Sequence, residues 1–262
     1  MENTHTKCAS RAVERSRESG NVLFLILIAV ALFAALSYAV TQSSRSGSGE
    51  ATGEKSLISG AQVTQYPAGV RTDIIRMMID DNTTVDQLEF NPPSDFSSLT
   101  VSPAGKYNRG VFHPDGGGAT YQLAPADIMD NSSPGAWYYN ANFSIPNIGT
   151  TSVSDSSGNE MIAFLPGIKQ QVCQKIDDQL GIVSNPVPPV AAAVATYKKT
   201  QGTGAGSEYE LFSAAPAPGT VLVSTATSGT PAVSVLSGQP FGCFSTNDAT
   251  PIYVYYHVLL ER

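Results

Sequence analysis

The side chains best suited to chemistry are few: His5, His113 and His257, and Cys8, Cys173 and Cys243. A structural zinc site takes four thiolate or imidazole ligands at short, paired spacings; no two of the histidines stand at such a spacing, and His113 and His257 with Cys173 and Cys243 make a poor zinc set. His113-Pro114-Asp115 could orient a base for a serine, but no nucleophile-elbow pattern accompanies it, and a histidine before a Pro-Asp-Gly turn is ordinary turn chemistry. Gly202-Thr-Gly-Ala-Gly-Ser207 looks like a phosphate loop without the lysine such a loop requires, so it reads as a flexible connection. Asp115-Gly-Gly-Gly118 opens like a calcium loop, yet carboxylates do not follow at the regular spacing. These residues predict no catalytic centre, no metal site and no cofactor; the chain reads as a non-enzyme. The aromatic run Trp137-Tyr138-Tyr139, with Tyr253 and Tyr255, is the better candidate for contact with a ligand, by stacking on a sugar or a partner surface. The same alternation also serves cross-strand packing.

The element that governs all of these is at the N-terminus. Val22 to Val40 carries no charge, and as a helix its length of about 28 Å approaches the roughly 30 Å hydrocarbon core of a bilayer. Lys7, Arg11, Arg15 and Arg17 precede it, whereas only Arg45 and Lys55 follow before Gly60. That asymmetry predicts a single-pass inner-membrane segment with a cytoplasmic N-terminus and an exported remainder. The alternative is a cleaved secretory signal with Ser37-Tyr38-Ala39 as its small-x-small site, for which the apolar run is long, since such regions usually span about 7–15 residues. Export divides the cysteines: Cys8 stays on the reducing side, while Cys173 and Cys243 lie where pairing is favoured and are expected to form a disulfide. Charged residues are 14% of the chain, against about 25% in ordinary soluble domains. The net charge of −7 opposes any nucleic-acid partner, because phosphate neutralisation needs clustered Lys and Arg.

Beyond the membrane segment, residues 41–53 are small and polar. Helical spacing resumes near Lys55 through Leu57, Ile58, Ala61, Val70, Ile74, Ile75, Met77 and Met78, with a kink or break expected at Pro67. From Thr83 onward short apolar runs alternate with turn signals. Strands are predicted at Val85–Phe90, at Trp137–Ile145, at Met161–Leu165, around Val221–Val223, at Val233–Leu236 and along Ile252–Leu260. A hairpin is predicted across Val111–Leu123, and a short amphipathic helix over Ile168–Leu180, closed by Gly181. The predicted class is α+β, with a long N-terminal helix, half transmembrane and half amphipathic, packed on a mostly antiparallel β head. The predicted divisions are a leader (1–20), a transmembrane helix (21–40), a stem with amphipathic helix (41–82) and a head (83–262).

Gly20-Asn21 at the junction of a short basic leader and an uncharged helix resembles the N-terminus of type IV prepilins. The helix Gly167–Gly181 around Cys173 and the ending from Gly242-Cys243-Phe244 to Arg262 are similar to pilin-like proteins of proteobacteria. The resemblance implies cleavage between Gly20 and Asn21 by a prepilin peptidase, a stem that packs with other pilin-like subunits, and a head in the periplasm or on the cell surface. Pilins usually carry Glu at the fifth position after the cut; here it is Leu25, as befits a minor or tip-like subunit, since the tip subunit of the type II secretion pseudopilus also lacks that Glu. The expected function is therefore a minor or tip-like structural subunit of a surface filament or secretion pseudopilus. The alternative is a membrane-tethered extracytoplasmic binding module that does not polymerise.

Overall fold

The computed structural model describes residues 19–149, 159–182, 185–190, 192–211, 220–221 and 234–262. The chain divides into two units, Met1–Thr52 and Gly53–Arg262. The N-terminal unit contains the start of helix α1, Ser19–Asp80, whose apolar stretch Val22–Gln42 is unburied throughout. Nothing between Asn21 and Thr41 breaks or charges the helix, so backbone groups are satisfied internally and side chains face outward.

In the second unit the last turns of α1 enter a core. Val63, Pro67, Val70, Ile74 and Met77 are buried, at alternating spacings of four and three that keep them on one face. The predicted stripe is corrected here: Ile58 and Ile75 point outward and Val63 joins the buried row. Pro67 does not end the helix, which runs through it. Its missing N–H costs one hydrogen bond, and the buried residues a turn away on either side hold the backbone in register. Past Asp80 the helix stops where Asn82 takes a left-handed conformation (φ 51°).

Strands β1 (Tyr138–Ser144), β2 (Glu160–Pro166), β3 (Thr200–Gln201), β4 (Tyr209–Glu210), β5 (Thr220–Val221), β6 (Phe241–Ser245) and β7 (Tyr253–Leu260) follow, with helix α2 (Gln170–Gln179) between β2 and β3. The main sheet has the order β5-β1-β2-β7-β6, antiparallel except for the short β1–β5 edge pair; β3 and β4 pair separately in parallel. Both faces of this sheet are covered. Tyr139, Met161, Ala163, Leu165, Cys243, Tyr255 and Leu259 share a cluster with α1 and α2 residues, while Phe143, Ile162, Phe164, Phe244, Val254, Tyr256 and Val258 share another with Val190, Tyr197 and Leu236. This explains why β7 is buried from Val254 to Leu260 although its sequence alternates only weakly in polarity. A register shift in β1 between Asn140 and Phe143 moves the odd-numbered residues from one face to the other: Tyr139 and Ala141 are in the first cluster, Phe143 in the second.

α2 lies against β6 through the Cys173–Cys243 disulfide, with Cα atoms 5.4 Å apart. Gly60 of α1 is close enough to Ile176 that a Cβ there would be in van der Waals contact, which is how α1 approaches α2. Gly181, at φ 72°, closes α2 as its sequence indicates.

Three predicted elements differ. Val85–Gln87 is a 3-10 turn, and only Glu89 bridges to Gly110, because the Pro92-Pro93 break denies the segment a strand's ladder. Val111–Leu123 is an irregular loop tied by the Ala119 N–H to the Val111 carbonyl, since three consecutive glycines let the chain fold back on itself without pairing. Ser234–Leu236 is a 3-10 turn. β6 is a strand that apolar alternation does not announce: Gly242 and Ser245 interrupt it, and it forms because β7 offers a partner edge. Leu222, Val223 and Val233, each within a predicted strand, lie outside the described residues.

Candidate membrane segment and head groove

The apolar segment Val22–Gln42 has a mean hydropathy of 2.7 and none of it is buried; Leu25 is as exposed as its neighbours. At 1.5 Å per residue it is about 31 Å long, sufficient to cross a bilayer. Its polar end is satisfied within the helix, Thr41 Oγ1 donating to the Ser37 carbonyl (2.6 Å) and Gln42 Nε2 to the Tyr38 hydroxyl (2.7 Å). Gly20 and Asn21 are in the first turn of α1. One apolar helix fits a single-pass membrane anchor, and a disulfide fits an oxidising compartment for the part that carries it.

Of the aromatic residues singled out in the sequence, Trp137, Tyr139 and Tyr255 are buried. Tyr139 stacks on Phe90 at 4.6 Å and its hydroxyl shares a 3.2 Å hydrogen bond with that of Tyr66; Trp137 meets Tyr255 edge-on at 6.1 Å. These rings are core, which is where cross-strand aromatic pairing places them. Tyr138 and Tyr253 keep exposed surface. They begin β1 and β7, and both strands run antiparallel to β2 between them, so the two rings come to the same end of the sheet, beside Pro166.

There they line a groove of about 500 Å³ together with Met129, Asp130, Gly135 and Lys198. The turn after β2 shapes it: Gly167, at φ 86°, and Ile168 both donate to the Tyr253 carbonyl, at 2.9 and 3.2 Å, and Asp130 N–H donates to the Gly167 carbonyl at 2.8 Å. Gly135 has no room for a side chain beside Met129 and Leu165. Burial raises the Tyr138 phenol above its usual range, so at neutral pH it is a neutral hydroxyl. Two phenol rings, an ammonium and a carboxylate around an apolar floor suit recognition of a mixed polar and apolar ligand. Asp130, Met129 and Lys198 were not singled out in the sequence; Met129 and Asp130 come from the loop just before β1, and Lys198 from a loop sixty positions beyond Tyr138.

His113 does what its sequence context suggests: its Nδ1 accepts from the Asp115 N–H (3.1 Å), and its ring packs against Phe96 and Tyr107. The His257 ring nitrogen Nδ1 shares a 2.9 Å hydrogen bond with the Tyr255 hydroxyl, and burial first, then repulsion from Arg71, lowers its pKa to about 4. Glu89, Glu160 and Asp177 are buried outright, and two of these carboxylates have raised pKa values. Asp177 Oδ1 accepts from the Cys243 N–H (2.9 Å) and Glu160 Oε2 from the Ile145 N–H (2.9 Å); desolvation raises each pKa to about 7 against those hydrogen bonds. Among the described residues no three His, Cys, Asp or Glu side chains gather as a metal-binding group.

No protein-family model, no curated protein and no solved structure matches this chain.

Proposed function

We propose that the chain is a minor or tip-like pilin-like subunit of a surface filament or secretion pseudopilus, held in the inner membrane by Val22–Gln42 with its β-rich head on the periplasmic side or at the cell surface. The observation that carries this reading is the fully exposed apolar helix that continues, within one helical element, to the buried row Val63–Met77 of the disulfide-bearing unit. A stem helix continued into a β-rich head is the plan that the Gly20-Asn21 junction suggests in sequence, and the cluster that Val63, Val70, Ile74 and Met77 share with sheet residues supports it. In this reading a prepilin peptidase cuts after Gly20, and the uncharged stems pack with those of other pilin-like subunits by dispersion and shape. The amine freed at Asn21 finds its counter-charge on another subunit or a lipid headgroup, because Leu25 offers no carboxylate. Sequencing the N-terminus of the mature protein tests this: Asn21 is expected, and Met1 or Val40 would overturn it.

The groove at Tyr138 and Tyr253 favours a second reading, a membrane-tethered module whose head binds a glycan or envelope partner without polymerising. Mechanical shearing of cells separates the two. A filament subunit appears in the sheared fraction, whereas a tethered module stays with the membranes.

A further inference from the structure

Asparagine followed two positions later by serine or threonine is the acceptor pattern of N-glycosylation when the residue between is not proline. The chain carries it at Asn82-Thr83-Thr84, Asn131-Ser132-Ser133 and Asn142-Phe143-Ser144. The structure separates the three. Asn142 is half-buried within β1, and Phe143 and Ser144 are buried, so this hydroxyl does not reach the surface. Asn131 is exposed, but its Oδ1 already accepts from the Ser133 N–H at 3.0 Å. Asn82 stands two residues past the end of α1, exposed, in the left-handed conformation, and its side chain has no hydrogen-bond partner among the described residues. Thr83 turns inward, 5% exposed, and Thr84 outward, so Asn82 and Thr84 both stay on the surface while the residue between them anchors the turn. The turn is fixed at its two ends, by the Asp81 N–H donating to the Met77 carbonyl (3.0 Å) and the Gln87 N–H to the Thr84 carbonyl (2.9 Å). Asp80, also exposed, stands two positions before Asn82, where oligosaccharyltransferases of bacterial envelopes read an acidic side chain. The corresponding residues before Asn131 and Asn142 are Met129 and Asn140, which carry no charge.

We propose that Asn82 is the acceptor of an N-linked glycan, transferred by a membrane oligosaccharyltransferase from an oligosaccharide carried on a polyprenyl diphosphate. In the transfer Asn82 Nδ2 forms a bond to the anomeric carbon of the first sugar. The bond from that carbon to the phosphate oxygen breaks, and the polyprenyl diphosphate leaves with the electron pair. One amide proton passes to a base of the transferase, and nothing is oxidised or reduced. Asp80 and the Thr84 hydroxyl are the groups by which the transferase holds the acceptor in place; both flank an amide that no contact within the head withholds. A glycan is bulky and hydrated and therefore needs a surface position, which the turn after α1 supplies. Ile79, three positions earlier, is 74% exposed, and Ile75 one turn before it is exposed as well. A hydrated chain beginning at Asn82 limits what can pack on that apolar edge. The inference rests on the exported head of the proposed function, because donor and transferase meet outside the cytoplasm. It is independent of whether the chain polymerises.

The test uses the full chain, extracted in non-ionic detergent from the membranes of the cells that make it and digested with trypsin. Cleavage after Arg76 and Lys106 releases residues 77–106, which contain the Asn82 pattern and neither of the others. This peptide is expected to carry a mass increment made of hexose and N-acetylhexosamine units, and fragmentation that keeps the glycan attached should place it on Asn82. Asp tolerates the left-handed conformation as Asn does, so Asn82→Asp should keep the turn and lose the whole increment. Thr84→Ala should lose it too, whereas Thr84→Ser, which restores the hydroxyl, should retain it. A wild-type 77–106 peptide without sugar overturns the proposal, and so does an increment that survives Asn82→Asp, since that puts the sugar on a hydroxyl. The Cys173–Cys243 bridge, read in the same sample, tells the two failures apart. Bare Asn82 with the bridge formed overturns the glycan alone, and bare Asn82 with two free thiols overturns the exported head with it.

Discussion

Replacing Asp177 by Asn isolates one buried carboxylate. Asp177 is on α2 with no exposed surface, next to the disulfide, and its pKa is raised from 3.8 to about 7, chiefly by desolvation. Below pH 4 the group is protonated in both folded and unfolded chains. Between about pH 4 and 7 only the folded chain holds the proton, so unfolding releases it, and stability falls as the pH rises by about 1.4 kcal/mol per unit. Above pH 7 the folded group is ionised as well and the slope vanishes. The whole effect has a ceiling of about 4 kcal/mol, a shift of about three units at 1.36 kcal/mol each. Asp177→Asn keeps an oxygen for the Cys243 N–H and cannot ionise, so it loses this slope. Glu160 acts in the same direction as Asp177. His257, with its pKa lowered to about 4, acts in the opposite one, losing stability as the pH falls from about 6.5 toward 4. Both are common to the two proteins and cancel in the difference.

The assay is urea unfolding of the full chain in micelles, followed by Trp137, the only tryptophan and one that is buried. At pH 4.5 the two proteins should have similar midpoints. At pH 8 the variant should be the more stable by up to about 4 kcal/mol, a midpoint difference of about 2 M at an m-value near 2 kcal/mol/M. Asp177→Ala serves as the control for the hydrogen bond: like Asn it cannot ionise, but it orphans the Cys243 N–H and should be about 1–3 kcal/mol less stable than Asp177→Asn at every pH. Midpoints of wild type and Asp177→Asn that stay parallel from pH 4.5 to 8 would refute the reasoning, because they would mean that Asp177 is ionised in the folded chain throughout.

Intact mass with and without reductant should differ by two protons for the Cys173–Cys243 bridge, and the double Cys→Ala variant should lose about 4 kcal/mol, the chain entropy of a loop of 70 residues; two thiols alkylated without reductant would contradict it. A reporter active only in the periplasm, fused after Arg262, should be active, whereas activity of a cytoplasmic reporter at that point would remove the exported head. Gly20 replaced by a bulky residue should leave a precursor about 2 kDa heavier than the processed chain on a denaturing gel, by residue mass; an unchanged mature N-terminus would count against cleavage there.

How much of this was legible in the sequence follows from how far apart the deciding residues are. The apolar helix needs only its own residues, because nothing in 21 successive positions competes with the bilayer's demand for internal hydrogen bonds. The strands β1, β2 and β7 and helix α2 are also carried by local pattern, and the disulfide by a compartment argument that leaves two cysteines. What was not legible depends on partners far along the chain. Val85–Phe90 has a strand's composition but no edge to pair with, so it folds as a turn; Phe241–Ser245 lacks the composition and becomes a strand because β7 is beside it.

The same reasoning explains why the polar sites were missed. In Leu88-Glu89-Phe90 the carboxylate looks like the solvent-facing residue of a strand, and its burial results from the loop 202–206 closing over it from more than a hundred positions away. Asp177 reads as the polar face of an amphipathic helix until β6 arrives and its Cys243 N–H occupies that face. Tyr138, Tyr139 and Trp137 are neighbours in sequence, and only the sheet's two covered faces decide that Tyr138 reaches the groove while the others reach the core. A side chain's type therefore limits what it can do, but in this head its exposure is set by the strand or loop that lands on it. The residues to perturb first are the carboxylates that landed inside: Glu160 and Asp177 keep their place because the fold gives each a main-chain N–H and, below about pH 7, a proton.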